Sequence, residues 1–239
     1  MKLKLFLLLL GLMSFPSWSV PLKIELVKIP KGTYQIGCDI FVDKRCDLSD
    51  GEDRPLKVVN SKEFKISKYE ITQGQYNKCI KGKFCTLPKK GFTPKKNPKK
   101  PITSVTWSQA RAFCKWLKLD LPNENEWEIA ARSGDTRIYS WGNNPPNCET
   151  SNFSYLCKSD LKDVGSFPRD MSSFGLYDVV GNVEEWTLDM FSNKYPVHLK
   201  VVRGGSYRSD EWHSRLSHRT HAKEDSAAPE RGFRCASAD

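Results

Sequence analysis

Hydrophobic positions in this chain come in short bursts between long polar stretches, and the first burst differs from the rest. Leu5 to Met13 is an apolar run behind Lys2 and Lys4, and the stretch closes on Ser17-Trp18-Ser19. A charged start, an apolar run about half the roughly 20 residues needed to span a membrane, and small residues at the two positions a signal peptidase reads predict a secretory leader over 1–19. Cleavage falls before Val20. No later run is comparable, so the expectation is a leader without a membrane anchor and a single domain over 20–239, in a periplasm or outside the cell.

After the leader, Leu26-Val-Lys-Ile, Pro30-Lys-Gly and Thr33-Tyr-Gln-Ile read as strand, turn and strand. A loop rich in Asp and Gly runs to Pro55, and Phe64-Lys-Ile and Tyr69-Glu-Ile have strand composition. Thr72 can cap a helix from Gln73 to about Cys79, because its side-chain oxygen can accept an orphan amide of the first turn. Thr106 with Gln109 makes a capping box, and Trp107, Ala110, Cys114 and Leu117 then share one helical face, which turns Cys114 inward. Asn123 with Glu126 repeats the device before Trp127-Glu-Ile-Ala-Ala-Arg, with Gly134 ending that helix. From residue 135 onward turn residues and aromatics dominate, so little regular structure is expected and the long loops need tying down. Trp107, Trp127, Trp141 and Trp186 are assigned to the core.

Composition narrows the class. A chain of 239 residues, 38% hydrophobic and 28% charged, with seven Trp, fits one domain of about 100 to 200 residues with extra loops and excludes disorder, collagen and coiled coil. The net charge is +10, two units of it from the leader lysines. Lys81 to Lys100 is a lysine-rich stretch with Pro and Gly, read as a solvated loop. A nucleic-acid patch would interleave Arg and aromatics on a helix or sheet, so no nucleic-acid partner is expected; an acidic surface or a polysaccharide suits the stretch better.

Eight cysteines fit an oxidising compartment. Cys38 and Cys46, Cys79 and Cys85, and Cys148 and Cys157 are each separated by a short loop, leaving Cys114 and Cys235 as a long-range pair. Those four bridges are the expectation, although eight cysteines allow 105 connectivities and spacing alone does not choose. No CxxC occurs, which disfavours a thiolate zinc site.

Seven blocks then appear in order: Ile29-Pro-Lys-Gly-Thr-Tyr-Gln-Ile-Gly, Lys68-Tyr-Glu-Ile-Thr-Gln-Gly-Gln-Tyr, Pro101-Ile-Thr-Ser-Val-Thr-Trp, Leu121-Pro-Asn-Glu-Asn-Glu-Trp, Gly175-Leu-Tyr-Asp-Val-Val-Gly-Asn-Val-Glu-Glu-Trp, Arg203-Gly-Gly-Ser-Tyr and Gly232-Phe-Arg-Cys-Ala. With them the chain resembles the formylglycine-generating enzyme, or sulfatase-modifying factor, family over residues 24 to 237. The resemblance implies an α+β fold, the formylglycine-generating-enzyme variant of the C-type lectin-like fold, low in regular secondary structure.

In active members of that family two cysteines, three and eight residues after the Ser of the Gly-Gly-Ser block, bind copper, activate oxygen and oxidise a sulfatase cysteine to formylglycine. From Ser206 those positions are Ser209 and Ser214. A neutral hydroxyl is a poor ligand for soft Cu(I), so no copper is expected. Glu184 departs as well, standing where active enzymes carry Trp. The resemblance also implies structural Ca²⁺, held through Asp178, Gly181, Val183 and Glu185, because hard Ca²⁺ takes six to eight oxygens. The alternative there is a turn in which Glu185 pairs with an Arg. A second calcium site would use Asn152, the carbonyl of Phe153 and a carboxylate such as Asp160.

His213, His218 and His221 cluster late, with nothing in the sequence to fix their geometry and no evident carboxylate to orient any of them. Without a nucleophile elbow, Ser206, Ser209 and Ser214 make a weak case for a hydrolase. Tyr207, Arg208, Trp212, His213, Arg215 and Arg219 are instead read as recognition surface, since Trp, Tyr and Arg dominate binding hot spots. The expected function is a secreted or periplasmic binding or accessory module, its ligand an unidentified protein, peptide or glycan. Two alternatives stand beside it: an enzyme of the same family, either formylglycine-generating or maturing a peptide or siderophore precursor, and a retroelement-diversified lectin-like receptor varying over Arg208 to His221.

Overall fold

The computed structural model describes residues 22–46, 53–154, 157, 160–192 and 198–237. The expected leader and cleavage point lie outside the described residues. Two antiparallel ribbons build the N-terminal part. Strand β1 (Leu26–Ile29) pairs with β4 (Phe64–Ser67), and β2 (Gly32–Ile36) pairs with β3 (Lys57–Ser61). Strand β3 falls between Pro55 and Phe64, a stretch the sequence left unassigned, and Tyr69 to Ile71, read as strand, is irregular.

The three helices begin where their capping boxes predict. Helix α1 (Gln73–Lys81) starts behind Thr72, α2 (Trp107–Trp116) behind Thr106 and α3 (Glu124–Arg132) behind Asn123, and each cap makes both reciprocal bonds. Helix α1 continues two residues past Cys79. Ser133, at φ +64°, caps α3 one residue before the expected Gly134.

The C-terminal half carries more sheet than expected. Strands β5 (Glu184–Met190), β6 (Leu199–Arg203), β7 (Arg219–Lys223) and β8 (Arg231–Gly232) form one sheet in the order β7-β6-β5-β8, with β8 parallel to β5. The outcome is an α+β fold with a large share of irregular backbone.

Two core clusters fill the domain. One gathers Ile29, Ile66, Trp127, Leu176 and Val180 beneath the ribbons. The other gathers Tyr76, Phe113, Trp186 and Phe233 between α1, α2 and the sheet. Trp127 and Trp186 are wholly buried, whereas Trp107 and Trp141 pack at the margins. All four expected bridges are present, and Cys114–Cys235 staples α2 to the segment after β8 across 121 residues.

Gly181 carries a site-forming contact. Its φ is +87°, and a Cβ there would lie 2.3 Å from the carbonyl oxygen of Asn152. Only glycine lets the 152 and 181 segments meet in their parallel bridge.

Candidate functional site

The Gly-Gly-Ser turn after β6 places Ser206, Ser209 and Ser214 together. Ser209 Oγ accepts the amide of Ser206 at 2.9 Å and lies 3.4 Å from Ser206 Oγ. Ser214 is buried and donates its hydroxyl to the carbonyl of Asp210 at 2.7 Å. A Cβ on Gly205 would touch Ser214 Oγ at 3.0 Å, so the two segments are in close contact. Both hydroxyls, at the positions where the resemblance implies copper ligands, serve the local backbone, and neutral oxygens of this kind do not fit Cu(I).

Beside them the histidines are more ordered than the sequence indicated. Asp210 accepts the backbone N–H of His213 at 2.9 Å and holds its Nδ1 at 2.6 Å. That corrects the expectation that no carboxylate orients a particular His. The His213 ring meets His218 edge to face at 5.0 Å, whereas His221 stacks on Phe191 elsewhere. His218 is buried, and its Nδ1 has no hydrogen-bond partner. Burial, then the positive groups His213, Arg215 and Arg203, hold its pKa down to about 3. Among the described residues His213 bonds Asp210 and no serine hydroxyl.

The recognition residues divide. Arg208 is half exposed, 3.7 Å from Glu230, and His213 is exposed; Trp212 is partly buried under the Arg215 guanidinium. Tyr207 and Arg219, expected on the surface, are interior. Arg219 turns inward because Glu124 binds its guanidinium. Arg215 is interior for a similar reason, each of Asp43 and Asp53 lying 2.9 Å away. Glu184 pairs with Arg231 at 2.6 Å, and burial raises its pKa despite that partner.

The calcium block expected from the sequence leads into β5. Glu185 is held by Arg234 at 2.7 and 2.6 Å and by Trp127 Nε1 at 2.8 Å, which is the arginine-paired turn weighed against the metal. Asp178 accepts the amide of Gly165 at 2.6 Å. Close by, Glu70 accepts Asn182 Nδ2 at 2.7 Å, and Asp170 accepts Ser140 Oγ at 2.6 Å. Burial first, then mutual repulsion, raises the Glu70 and Asp170 pKa values well above the ordinary range and brings Asp178 to about 6. Four buried carboxylates thus surround one guanidinium, that of Arg234.

Among the described residues no three Asp, Glu, His or Cys side chains converge as a metal cage. A calcium ion here would rely on carbonyl and amide oxygens, and one is waiting. Asn152 Oδ1 is buried with no donor in reach. Its Nδ2 donates to the Asp160 carbonyl at 3.1 Å and to Asn182 Oδ1 at 2.9 Å, two oxygens that fix which way the amide points. Val183 and Phe153 are buried alongside, but the Asp160 side chain is largely exposed.

Sequence reading missed a third cluster. Glu124, at the start of α3, binds Arg203 at 2.7 Å and Arg54 at 2.6 Å in addition to Arg219, while Glu128 binds Arg203 at 2.9 Å. The available signal was the spacing within α3. Glu124 and Glu128 lie four residues apart and share a helical face, and the small Ala130 and Ala131 beyond them suit a helix covered on more than one side, as both are buried.

Fold and site together define an α+β domain of the formylglycine-generating-enzyme type, with Ser209 and Ser214 gathered at the Gly-Gly-Ser turn. Residues 19–239 match the family described as sulfatase-modifying factor enzyme 1-like domain, and the chain belongs to that family. It is 37% identical over 152 residues to the protein named inactive C-alpha-formylglycine-generating enzyme 2 of Bos taurus, covering 57% of this chain and 50% of that one. It is 34% identical over 162 residues to the formylglycine-generating enzyme of Mus musculus, covering 57% and 44%. The chain thus spans about half the length of these relatives. The solved structure of PvdO from Pseudomonas aeruginosa shares the fold, with a TM-score of 0.70 at 23% identity over 89% of this chain and 94% of that one.

Proposed function

We propose that this protein is a secreted or periplasmic binding or accessory module of the family, without the copper oxidase chemistry. The observation that carries the reading is hydroxyl in place of thiol at Ser209 and Ser214, with Ser214 buried and bonded to backbone. A relative whose name marks it as inactive supports it. Four disulfides support an oxidising compartment. The ligand, a protein, peptide or glycan, would meet the rim formed by exposed Arg208 and His213 with the partly buried Trp212 between them in sequence. Of the two expected calcium sites, the second, with Asn152 Oδ1 and the carbonyl of Phe153, is supported by a buried oxygen without a donor; at the first, Asp178, Gly181 and Val183 would act without Glu185, which Arg234 holds.

The test is aerobic incubation of copper-treated protein with a cysteine-containing sulfatase peptide. The expected product is none above the no-enzyme control; formylglycine formed at turnover would overturn the reading. A second reading, an enzyme of the family acting on a peptide by acid–base chemistry, is favoured by the Asp210–His213 pair, which orients an exposed imidazole. Under it, His213→Ala abolishes a modification of that peptide while the melting temperature holds, and an unchanged product would remove it.

A further inference from the structure

The chain's net charge is concentrated in one place. Residues 20–239 carry 36 basic and 28 acidic side chains, a balance of +8, and the 20 residues from Lys81 to Lys100 hold eight lysines and no carboxylate. The remainder of the domain is therefore neutral. Within the stretch Lys100 alone pairs with a carboxylate, Asp160 at 3.7 Å, and Lys89 reaches only the carbonyl of Asp225. Lys81, Lys83, Lys90, Lys95, Lys96 and Lys99 form no ion pair among the described residues and are exposed.

Two large apolar side chains stand among these lysines. Phe84 is 64% exposed and Leu87 67% exposed. Neither is a loose loop tip. The Cys79–Cys85 bridge ties the segment to α1, Tyr76 Oη donates to the carbonyl of Thr86, and Gln109 of α2 donates to Thr86 Oγ1 and the Leu87 carbonyl. Phe84 rests on Trp116 with ring centroids 6.0 Å apart. Further along, the Gly74 amide donates to the Pro98 carbonyl and the Gln73 amide to that of Lys100, so the end of the stretch is fixed at the start of α1. Little ordering entropy stands against binding by a surface already fixed in this way.

Residue types choose the partner. Lysine is depleted at protein–protein interfaces, whereas arginine supplies the planar, bidentate contacts of stereospecific recognition. This stretch contains no arginine. An acidic polysaccharide would reward the charges but gives no place for exposed Phe and Leu. Lysines flanking bulky apolar side chains match a surface with phosphates outside and acyl chains beneath, where each basic residue and each inserted apolar group adds binding free energy.

We infer that the face formed by Lys81–Lys100 with the ends of α1 and α2 docks the domain peripherally on an anionic lipid bilayer, independently of the rim around His213. Phe84 and Leu87 enter the headgroup boundary, and the lysines neutralise lipid phosphates.

Vesicle co-sedimentation of the purified protein tests this. Binding is expected to vesicles of phosphatidylcholine with phosphatidylglycerol, to be absent with phosphatidylcholine alone, and to weaken steeply with salt. Each lysine near the surface contributes about fivefold in partitioning, so changing Lys83, Lys90, Lys95 and Lys96 to Ala lowers binding on the order of several hundredfold. Phe84→Ser with Leu87→Ser weakens binding even at low salt. Both variants alter exposed positions, and an unchanged melting temperature shows that they remain folded. Equal binding by either variant, or capture by heparin or polyglutamate with none by anionic vesicles, would overturn the inference.

Discussion

At Ser214, where the family resemblance implies a copper-binding thiolate, the hydroxyl gives its proton to the Asp210 carbonyl and its oxygen crowds Gly205. Four residues further on, His218 has lost its usual titration for a related reason: loop backbone and arginines close over it. Burial first, then His213, Arg215 and Arg203, take its pKa from 6.5 to about 3. Between those values the unfolded chain binds a proton that the folded chain does not, so the contribution of His218 is full above about pH 6.5 and is lost as pH falls. By about pH 5 the loss amounts to roughly 2 kcal/mol. NMR of the His218 ring should show a neutral imidazole unmoved between about pH 7 and pH 5; a midpoint near the ordinary value would show that the ring is solvated. Ser209 and Ser214 were legible by counting from Ser206. The state of His218 was not, because a polar loop residue is buried by groups distant in sequence.

Helix α3 shows the same division at the scale of elements. Its start was legible, since Asn123 and Glu126 form a local device, and so was the inward Trp127. Its charged face was not. Glu124 reads as a favourable acidic residue in a first turn, but it is buried and ties α3 to β6 and β7 through Arg203 and Arg219, with Arg54 closing from the loop before β3. Burial alone would raise its pKa; the three guanidiniums outweigh burial and hold it low. Removing one partner of a buried pair typically costs about 3–5 kcal/mol, because the opposite charge is left unmatched. Glu124→Ala should therefore lose stability of that order in urea unfolding, and Arg54→Ala, at the solvent edge of the cluster, far less. Equal losses would mean that the network carries no special weight. Strand β3 escaped sequence reading for a comparable reason: Lys57 to Ser61 holds only Val58 and Val59 between polar residues, without a clear alternation, and is ordered by its pairing with β2.

Across the whole molecule, charge is sorted by region: lysines on the α1–α2 face, balanced pairs around α3, and an acidic excess around Arg234. The last of these is the least compensated. Glu70, Asp170, Asp178 and Glu185 share a single buried arginine, and burial with mutual repulsion raises the first three pKa values. Sequence blocks pointed to Asp178 and Glu185; Glu70 and Asp170, from 108 and 8 residues upstream of Asp178, join them only through the fold. Because Glu185 is committed to Arg234 and Trp127, the oxygen with most to gain from a cation is Asn152 Oδ1, buried and without a donor. A ligand that binds only the folded chain stabilises it by about 2.7 kcal/mol at a hundredfold excess over its dissociation constant. The melting temperature at neutral pH should therefore rise by several degrees on adding Ca²⁺ and return with a chelator, and Asn152→Ala should remove most of the increment. Mg²⁺, smaller and slower to shed water, should substitute poorly. If calorimetry finds no calcium bound and chelation leaves melting unchanged, the calcium reading fails, and the acidic excess is met by Arg234 and by the raised carboxyl pKa values of Glu70 and Asp170.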